Sequence, residues 1–289
     1  MAKISDQSFA IVTPTYLPDL TRCELLAESL DRTAPQIPHY LIVSRSERAA
    51  FSHLELGSRR IIESEAVLGK WILRMPGRKG GIWLSLSAMP VRGWIIQQML
   101  KIGAIDVIPD RTLVFCDSDV AFFRHFQRDD LLVGEKIGLL DVDPNAYSPR
   151  WTATARRLLG IPSSGGSYRN HVGHMICWNR ETIRAMQQRI ESSTNTHWKI
   201  ALARTSSFAE YMIYGIFVRE VLGYDAVDHA PSTVPLVKQS WADELRTEQA
   251  MKTFFSDFDP RTIAVMIHSK QGVDLARYRP HLEHLWGLQ

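Results

Sequence analysis

The sequence predicts an α/β domain with a mostly parallel central sheet, and two observations lead to this fold class. The chain opens with a strand-like run, SFAIVTPTY, then LTRCELLAESLDR with apolar residues at helical spacing, then a second short strand, HYLIVS. A strand, a helix and a strand in succession indicate parallel pairing. Further along, the apolar run LVFC ends in acidic residues, as a central strand does at a ligand-binding edge.

The later segments continue this alternation. Strands are expected in RRIIESEAVL, RTLVFCDSD, KIGLLDVD, HMICWN and AVMIHSKQGV. Helices are expected in GWIIQQMLKIGAIDVI, RETIRAMQQRIES and SSFAEYMIYGIFVREVLG, the last with an aromatic stripe. Residues 69–93 mix glycine, proline and basic residues without periodicity, which predicts a long surface loop.

Length and composition bound the domain count and the broad class. The chain has 289 residues, of which 45% are hydrophobic and 22% charged, and this suits one large α/β domain or two small ones. Because no repeat, low-complexity tract or linker interrupts the chain, we expect a single domain over residues 1–289. The formal net charge of +3 is too small to indicate nucleic-acid binding, although an anionic substrate or a membrane surface stays open.

Cysteine usage and the terminal sequence predict the compartment. Cys23, Cys116 and Cys177 are odd in number, far apart and in no CxxC pair, which excludes a disulfide framework and a zinc knuckle. The N-terminal run contains no signal-peptide core, and no apolar stretch approaches the length of a membrane span. We therefore expect a soluble cytoplasmic protein, with peripheral association at the inner membrane surface left open.

The Asp-x-Asp pattern is the feature with most chemical content, although roughly one such tripeptide is expected by chance in a chain of this length. It occurs three times, as Asp117/Asp119, Asp141/Asp143 and Asp257/Asp259. The last pair lies in a turn-like stretch, and the middle pair is followed by a proline, so both are read as turns. The first pair stands between two apolar runs, LVFC and VAFF, at the predicted carboxyl end of a strand. Two carboxylates from one short turn suit Mg²⁺ or Mn²⁺ shared with phosphates.

The stretch around this pair, WIIQQMLKIGAIDVIPDRTLVFCDSDVAFFR, resembles the GT-A glycosyltransferases: a helix, a loop and a hydrophobic strand that ends in the DxD motif. The opening FAIVTPTY is similar to the first nucleotide-binding strand of that superfamily. Within it, the chain looks most like poorly characterised bacterial glycosyltransferase-like proteins that are related to capsule and lipopolysaccharide enzymes. The resemblance implies a GT-A-like Rossmann-type sandwich. Residues 1–125 would form its nucleotide-binding half and residues 126–289 its acceptor-side half.

The activity that the resemblance implies is metal-dependent transfer of a sugar from a nucleotide-sugar donor, such as a UDP-sugar, to a carbohydrate or other hydroxyl acceptor. Asp119 would then bind Mn²⁺ or Mg²⁺ directly, and Asp117 would hold the ribose or reach the metal through water. The donor-binding positions that it implies are Thr13, Pro14, Thr15, Gln98, Lys101, Asp117 and Ser118. For Gln98 and Lys101, a solvent-facing stripe on the helix is the alternative.

Further candidates come from the C-terminal half. His268, after a late strand, is the third metal ligand that the resemblance implies, and Lys270 would face the diphosphate. Glu210, among aromatic residues, would be the general base of an inverting transfer. The alternative for Glu210 is a capping box with Ser207, three positions earlier.

Two other segments are read as substrate contacts. In SYRNHVGHMICWNRE, the candidates for sugar hydroxyl contacts are Asn170, His171 and His174. The PGRKGG segment, with Arg78 and Lys79, lacks the spacing of a P-loop. It is expected to be a basic lid that closes on the donor, and a plain solvated loop is the alternative.

Three other functions compete with this interpretation. A haloacid dehalogenase phosphatase carries its DxD near the N-terminus and has Thr or Val two residues after the second Asp. Here that position is Ala121, and an entire βαβ region precedes the motif. A nucleotidyltransferase would have a Gly-rich basic fingerprint at the N-terminus, which is absent. A nucleotide-sugar binding protein without catalysis stays open.

Overall fold

A five-stranded sheet carries the candidate site. The computed structural model describes residues 8–74, 82–85, 90–162, 168–241 and 245–288. The strands of this sheet are Phe9–Pro14 (β1), His39–Val43 (β2), Arg59–Glu63 (β3), Thr112–Cys116 (β7) and Met175–Asn179 (β11). Their order is β11-β7-β1-β2-β3. All neighbours are parallel except β11, which is antiparallel to β7. The mostly parallel sheet predicted from the sequence is therefore confirmed.

Both faces of this sheet are buried, which explains why its strands are continuous apolar runs. Ile11 and Val114 belong to one apolar cluster, and their neighbours Val12 and Phe115 belong to another. All four side chains have no exposed surface. Because successive side chains of a strand point to opposite faces, the alternation assigns each cluster to one face of the sheet.

Helices cover the sheet and extend the C-terminal part. The helices are Leu20–Thr33 (α1), Arg48–Phe51 (α2), Ser64–Leu68 (α3), Gly93–Gly103 (α4), Ser148–Leu159 (α5), Arg180–Thr194 (α6), Trp198–Ala203 (α7), Glu210–Ile216 (α8), Glu248–Phe254 (α9) and Leu275–Gly287 (α10). A π-helical segment, Phe217–Leu222, continues α8. Within the described ranges, no helix is long and apolar enough to cross a membrane.

Three smaller sheets surround the central one. Their strands are Ile72–Arg74 (β4), Ile82–Ser85 (β5), Val91–Arg92 (β6), Val120–Phe122 (β8), Leu132–Val133 (β9), Lys136–Leu140 (β10), His229–Ser232 (β12), Val237–Ser240 (β13) and Ala264–Ile267 (β14). The strand orders are β4-β5-β6, β12-β10-β9 and β13-β14-β8. β8 directly follows the turn after β7, so this turn connects the central sheet to the β13-β14-β8 sheet.

Two expectations for the first half were wrong. Residues 69–93 contain the antiparallel strands β4, β5 and β6 in their described part, not only loop. The buried side chains of Ile72, Trp83 and Val91 join the apolar cluster of α4, so packing fixes a segment without periodicity. The third strand ends at Glu63, and the SEAVL sequence after it forms α3.

The order of strands creates a topological switch point. The chain runs outward from β1 to β2 and β3, and then returns to place β7 on the other side of β1. In open α/β sheets, ligands bind in the crevice at the carboxyl ends of the two strands where the order reverses. Here that crevice lies between the end of β1 and the end of β7. This is the location that the first Asp-x-Asp pair occupies.

A buried histidine links the strands on the β2 side of the crevice. His39 accepts a hydrogen bond from Arg59 at Nδ1 (3.1 Å), which leaves Nε2 to donate to the hydroxyl of Thr13 (3.1 Å). Arg59 also pairs with Asp31 at 2.6 Å. Burial, together with the charge of Arg59, lowers the pKa of His39 from 6.5 to about 3. The imidazole therefore stays neutral in the folded protein at any pH near neutrality.

This histidine predicts a pH dependence of stability. Below pH 6.5 the unfolded chain protonates residue 39 and the folded chain does not, so stability is lost as the pH falls toward 3, by about 1.4 kcal/mol per unit. His39→Gln, whose amide can keep both hydrogen bonds, should flatten the slope of unfolding free energy between pH 7 and 5 in urea titrations. His284→Gln, at an exposed helix position, is the control. Equal slopes for the two variants would contradict the assignment.

Candidate functional site

The first Asp-x-Asp pair stands at the switch-point crevice. Because Val12 pairs with Phe115 in parallel register, Asp117 emerges beside the end of β1. The turn is closed by a hydrogen bond from the N–H of Val120 to the carbonyl of Asp117 (3.2 Å). Asp119 accepts a hydrogen bond at Oδ2 from the N–H of Ser269 (3.1 Å), directly after β14. The turn between β7 and β8 is thus held by its own hydrogen bond and by one from the segment after β14.

A buried lysine determines the state of Asp117. The Nζ of Lys101 on α4 lies 2.9 Å from Oδ1 of Asp117, 3.0 Å from Oε1 of Glu210 and 2.6 Å from the hydroxyl of Tyr211. Burial alone would raise the pKa of Asp117, but Lys101 and the hydrogen bond from His174 outweigh burial and hold that pKa well below its usual range. Burial opposes the charge of Lys101 too, and the two carboxylates overcome it, so its pKa is raised. The carboxylate of Asp117 and the ammonium of Lys101 therefore both stay charged near neutral pH.

His174 holds the other oxygen of Asp117. Its Nδ1 lies 3.2 Å from Oδ2 of Asp117, so the imidazole donates from Nδ1. The ring of His174 packs at a tilt on the ring of Trp241, with centroids 4.9 Å apart. The other neighbour of this indole is His268, stacked at 4.6 Å and 29°. Three aromatic rings therefore line the β11 side of the carboxylate pair.

Asp119 stands in a different electrostatic environment. Burial, and after it the negative charge of Asp117, raise its pKa from 3.8 to about 6. Asp19, just before α1, also has a raised pKa, again mainly through burial, and its Oδ2 lies 3.5 Å from the hydroxyl of Ser118. The charge of Asp19 acts on both motif aspartates. The crevice therefore holds three carboxylates: Lys101 pairs with Asp117, the charge of Arg22 partly offsets that of Asp19, and Asp119 has no ion-pair partner among the described residues.

These residues fit a divalent cation in part. A carboxylate that burial and like charge make unfavourable, such as Asp119, is stabilised by a bound cation, and its oxygens suit Mg²⁺ or Mn²⁺. In the described part of the chain, no three His, Cys, Asp or Glu side chains are grouped closely enough to hold a metal ion. The three-ligand set with His268 stays a prediction, as does the direct role of Asp119.

The predicted donor-binding positions divide into three groups. Pro14 and Thr15 stand at the end of β1, at the crevice, whereas the side chain of Thr13 is buried against His39. Gln98 and Lys101 are 2% and 6% exposed, so the alternative of a solvent-facing stripe is wrong. The side chain of Lys270 lies outside the described residues, and so does the predicted lid with Arg78 and Lys79.

Glu210 is buried in the charge network. It is 4% exposed, and Lys101 is its ion-pair partner. The capping-box alternative is wrong: α8 begins at Glu210 itself, with Ala209 at the N-cap position and no side-chain cap. The N–H of Glu210 instead donates to Oε1 of Gln98 (3.0 Å). A side chain from α4 thus substitutes for the missing cap and fixes α8 against the lysine.

Of the three predicted sugar contacts, only His174 touches the motif. Asn170 forms a β-bridge with Val142. His171 has no exposed surface, its Nδ1 lies 2.7 Å from the carbonyl of Leu140, and burial lowers its pKa. A cavity of about 110 Å³ borders His174 and strand β13 rather than the crevice itself. The assignment of the crevice therefore depends on topology and charge.

Sequence reasoning missed two residues of this site. Asp19 follows the turn after β1, and an acidic residue just before a helix gives no signal beyond a helix start. Trp241 stands in a stretch without a motif, and only the fold brings it to His174 and His268. Neither position could be found from local spacing.

Comparisons with known proteins agree with this architecture. A family model described as a family of unknown function, DUF6492, matches residues 7–288. The chain belongs to this family. A search of curated proteins finds no match. The chain is similar to mouse xyloside xylosyltransferase 1 in its apo form, with a TM-score of 0.50 and 10% identity over 92% of this chain and 99% of that one.

Two structures of LgtC are also similar to this chain, at lower TM-scores. A galactosyltransferase LgtC complex with donor and acceptor sugar analogs has a TM-score of 0.47 and 12% identity, and an active-site mutant of LgtC has 0.48 and 12%. Each covers 96% of this chain and 95% of that one. At such identities the likeness concerns the fold. The predicted GT-A-like fold class is therefore confirmed by the sheet and by the xylosyltransferase.

The buried ion pairs predict an order of stability losses. Lys101→Met leaves Asp117 and Glu210 without their cation and should cost about 3–5 kcal/mol in unfolding free energy. Glu210→Gln keeps the pair with Asp117 and an acceptor for the ammonium, and should cost about 1–2 kcal/mol. Arg279→Met, which removes exposed ion pairs to Glu28 and Glu283, is the control, at below about 1 kcal/mol. Urea denaturation measures all three, and a Lys101→Met loss no larger than the control would refute the network.

Proposed function

We propose that this protein transfers a sugar from a nucleotide-sugar donor to a carbohydrate acceptor, with a divalent cation at Asp119. The observation that carries the proposal is the pair Asp117/Asp119 at the switch-point crevice, one aspartate paired with a lysine and the other with a pKa of about 6. The GT-A-like fold supports the same activity by analogy.

Charge explains why a cation is part of the proposal. The diphosphate of a nucleotide-sugar is negative, and the crevice already holds the carboxylates of Asp19 and Asp119. Bringing these charges together in a partly buried site is unfavourable unless a cation lies between them. Mn²⁺ or Mg²⁺ would supply that charge and would stabilise the leaving diphosphate. Lys270, by its position after β14, is proposed to face the diphosphate.

The topology supports a direction for the donor. Pro14 and Thr15 end β1, and β2 and β3 extend the sheet on that side. The nucleotide would lie there, on residues 1–125, and the sugar would point toward Asp117 and His174. Residues 126–289 would then receive the acceptor. Asp117, held by Lys101 and His174, is proposed to orient the ribose or a metal-bound water without moving.

An inverting mechanism with Glu210 as general base is the finer proposal. A base must reach the acceptor hydroxyl, and Glu210 is instead 3.0 Å from Lys101 and buried. The role therefore requires the ion pair with Lys101 to open in the complex. The anomeric configuration of the product tests this step, and retention would exclude it.

The resemblance to bacterial capsule and lipopolysaccharide enzymes supports a role in surface polysaccharide or glycoconjugate synthesis at the cytoplasmic side of the membrane. A nucleotide-sugar binding protein without catalysis is the second candidate, favoured by the burial of Glu210 in an ion pair. Product formation from a labelled nucleotide-sugar separates the two functions.

The direct test is a thermal-shift screen of UDP-, GDP-, CMP- and dTDP-sugars with and without Mn²⁺. At a ligand concentration of 100 times Kd, binding should stabilise the fold by about 2.7 kcal/mol, and we expect this for one nucleotide and only with the metal. Asp119→Asn should remove the metal-dependent part. Asp143→Asn, at the second position of another Asp-x-Asp pair with its side chain 94% exposed, is the matched control.

Two outcomes would contradict the proposal. One is a set of melting temperatures that no nucleotide-sugar changes, with or without Mn²⁺. The other is a metal-dependent shift that persists in Asp119→Asn, because the cation would then lie elsewhere.

A further inference from the structure

Trp241 is an exposed aromatic residue with an unusual position. It directly follows β13, and 51% of its surface is exposed. A single exposed apolar side chain needs no explanation, but an indole packed against two histidines beside two motif carboxylates does. The ring of His268, stacked on the indole, and the tilted ring of His174 hold the indole in place. This is a rigid aromatic surface that faces solvent.

The indole is tied to both carboxylates of the crevice. His174, on one side, donates to Asp117 at 3.2 Å. His268, on the other, immediately precedes Ser269, whose N–H donates to Asp119 at 3.1 Å. The position of the indole is therefore linked to the place where the sugar of the donor would end.

Topology assigns the indole to the side opposite the nucleotide. His174 leads into β11, which lies beyond β7, whereas β1 and β2 lie on the other side of β7 in the strand order. If a ligand spans the switch point from β1 to β7, Trp241 therefore lies beyond the end of the ligand that is at β7. This is where an acceptor must approach if the nucleotide lies over β1 and β2.

An unsatisfied polar atom lies next to the indole. His174 is 7% exposed, and its Nε2 is buried without a hydrogen-bond partner among the residues that the structure describes. Nδ1 is already engaged by Asp117, and Nε2 accepts a hydrogen bond in the neutral imidazole and donates one in the imidazolium, so leaving it unpaired costs about 1–3 kcal/mol in either form. A hydroxyl group of a ligand would supply the missing bond.

We propose that Trp241 and His174 form a subsite for a pyranose ring of the acceptor, with the C–H face of the sugar on the indole and a hydroxyl that is hydrogen-bonded to Nε2 of His174. Sugar-binding sites of this kind combine an aromatic surface with a few polar groups that fix orientation. That the bound pyranose is the acceptor rests on the proposed function. Binding of a pyranose at Trp241 is itself independent of the donor.

Saturation-transfer difference NMR tests the subsite without catalysis. The probes are methyl α-D-glucopyranoside, methyl β-D-galactopyranoside and methyl α-D-mannopyranoside at millimolar concentration. Wild type should transfer saturation to the ring protons of at least one of them. Trp241→Ala should reduce that signal at least about fivefold, and Trp241→Phe, which keeps an aromatic face, should retain more of it than Trp241→Ala.

The control is Tyr147→Ala, which removes an aromatic residue 64% exposed and stacked on Trp151. Its saturation transfer should equal that of wild type. Equal signals in wild type and Trp241→Ala, or no signal from any glycoside in wild type, would overturn the subsite. A thermal-shift measurement with nucleotide-sugars and Mn²⁺ on wild type reports the donor separately. If no nucleotide-sugar stabilises the wild type, that result would instead count against the proposed function.

Discussion

The ion pair between Lys101 and Asp117 is the interaction on which the site depends. An ammonium group with 6% of its residue exposed is stable only because carboxylates surround it, and those carboxylates come from the turn after β7 and from α8. The same contact therefore fixes α4, α8 and the motif turn relative to one another. Gln98, one turn earlier on α4, adds a hydrogen bond to the first residue of α8. Together they attach the C-terminal half to the crevice.

The consequence is an asymmetry between two carboxylates that the motif presents as equivalent. Asp117 has its charge offset and both oxygens engaged, so it acts as a fixed part of the framework. Asp119, which accepts a hydrogen bond from the N–H of Ser269 and has a pKa of about 6, carries an unfavourable charge that a cation would stabilise. We propose that these separate environments give the two aspartates separate roles, one in positioning and one in ligand binding. The sugar-transfer proposal follows from this division.

How much of this was visible in the sequence depends on the range of the interactions. The strands of the central sheet and the helices α1, α4 and α6 follow from local apolar patterns, and the position of Asp117 at a strand end followed from LVFC, whereas helices such as α5 were not predicted. The start of α8 could not be predicted from local sequence, because Gln98 replaces a local cap. The strands within residues 69–93 could not be predicted either, because Trp83 and its neighbours are ordered by tertiary packing. Burial of Lys101 and the rings around Trp241 required the fold, since their partners are distant in the chain.

The most direct measurement of the central claim is a crystal structure of the protein with Mn²⁺ and the nucleoside diphosphate that stabilises it best. The account predicts the diphosphate between the carboxyl ends of β1 and β7, the metal bound by an oxygen of Asp119, and Lys101 still paired with Asp117. A diphosphate bound away from this crevice would contradict the claim. So would a metal held by other residues while Asp119 keeps only its bond from Ser269.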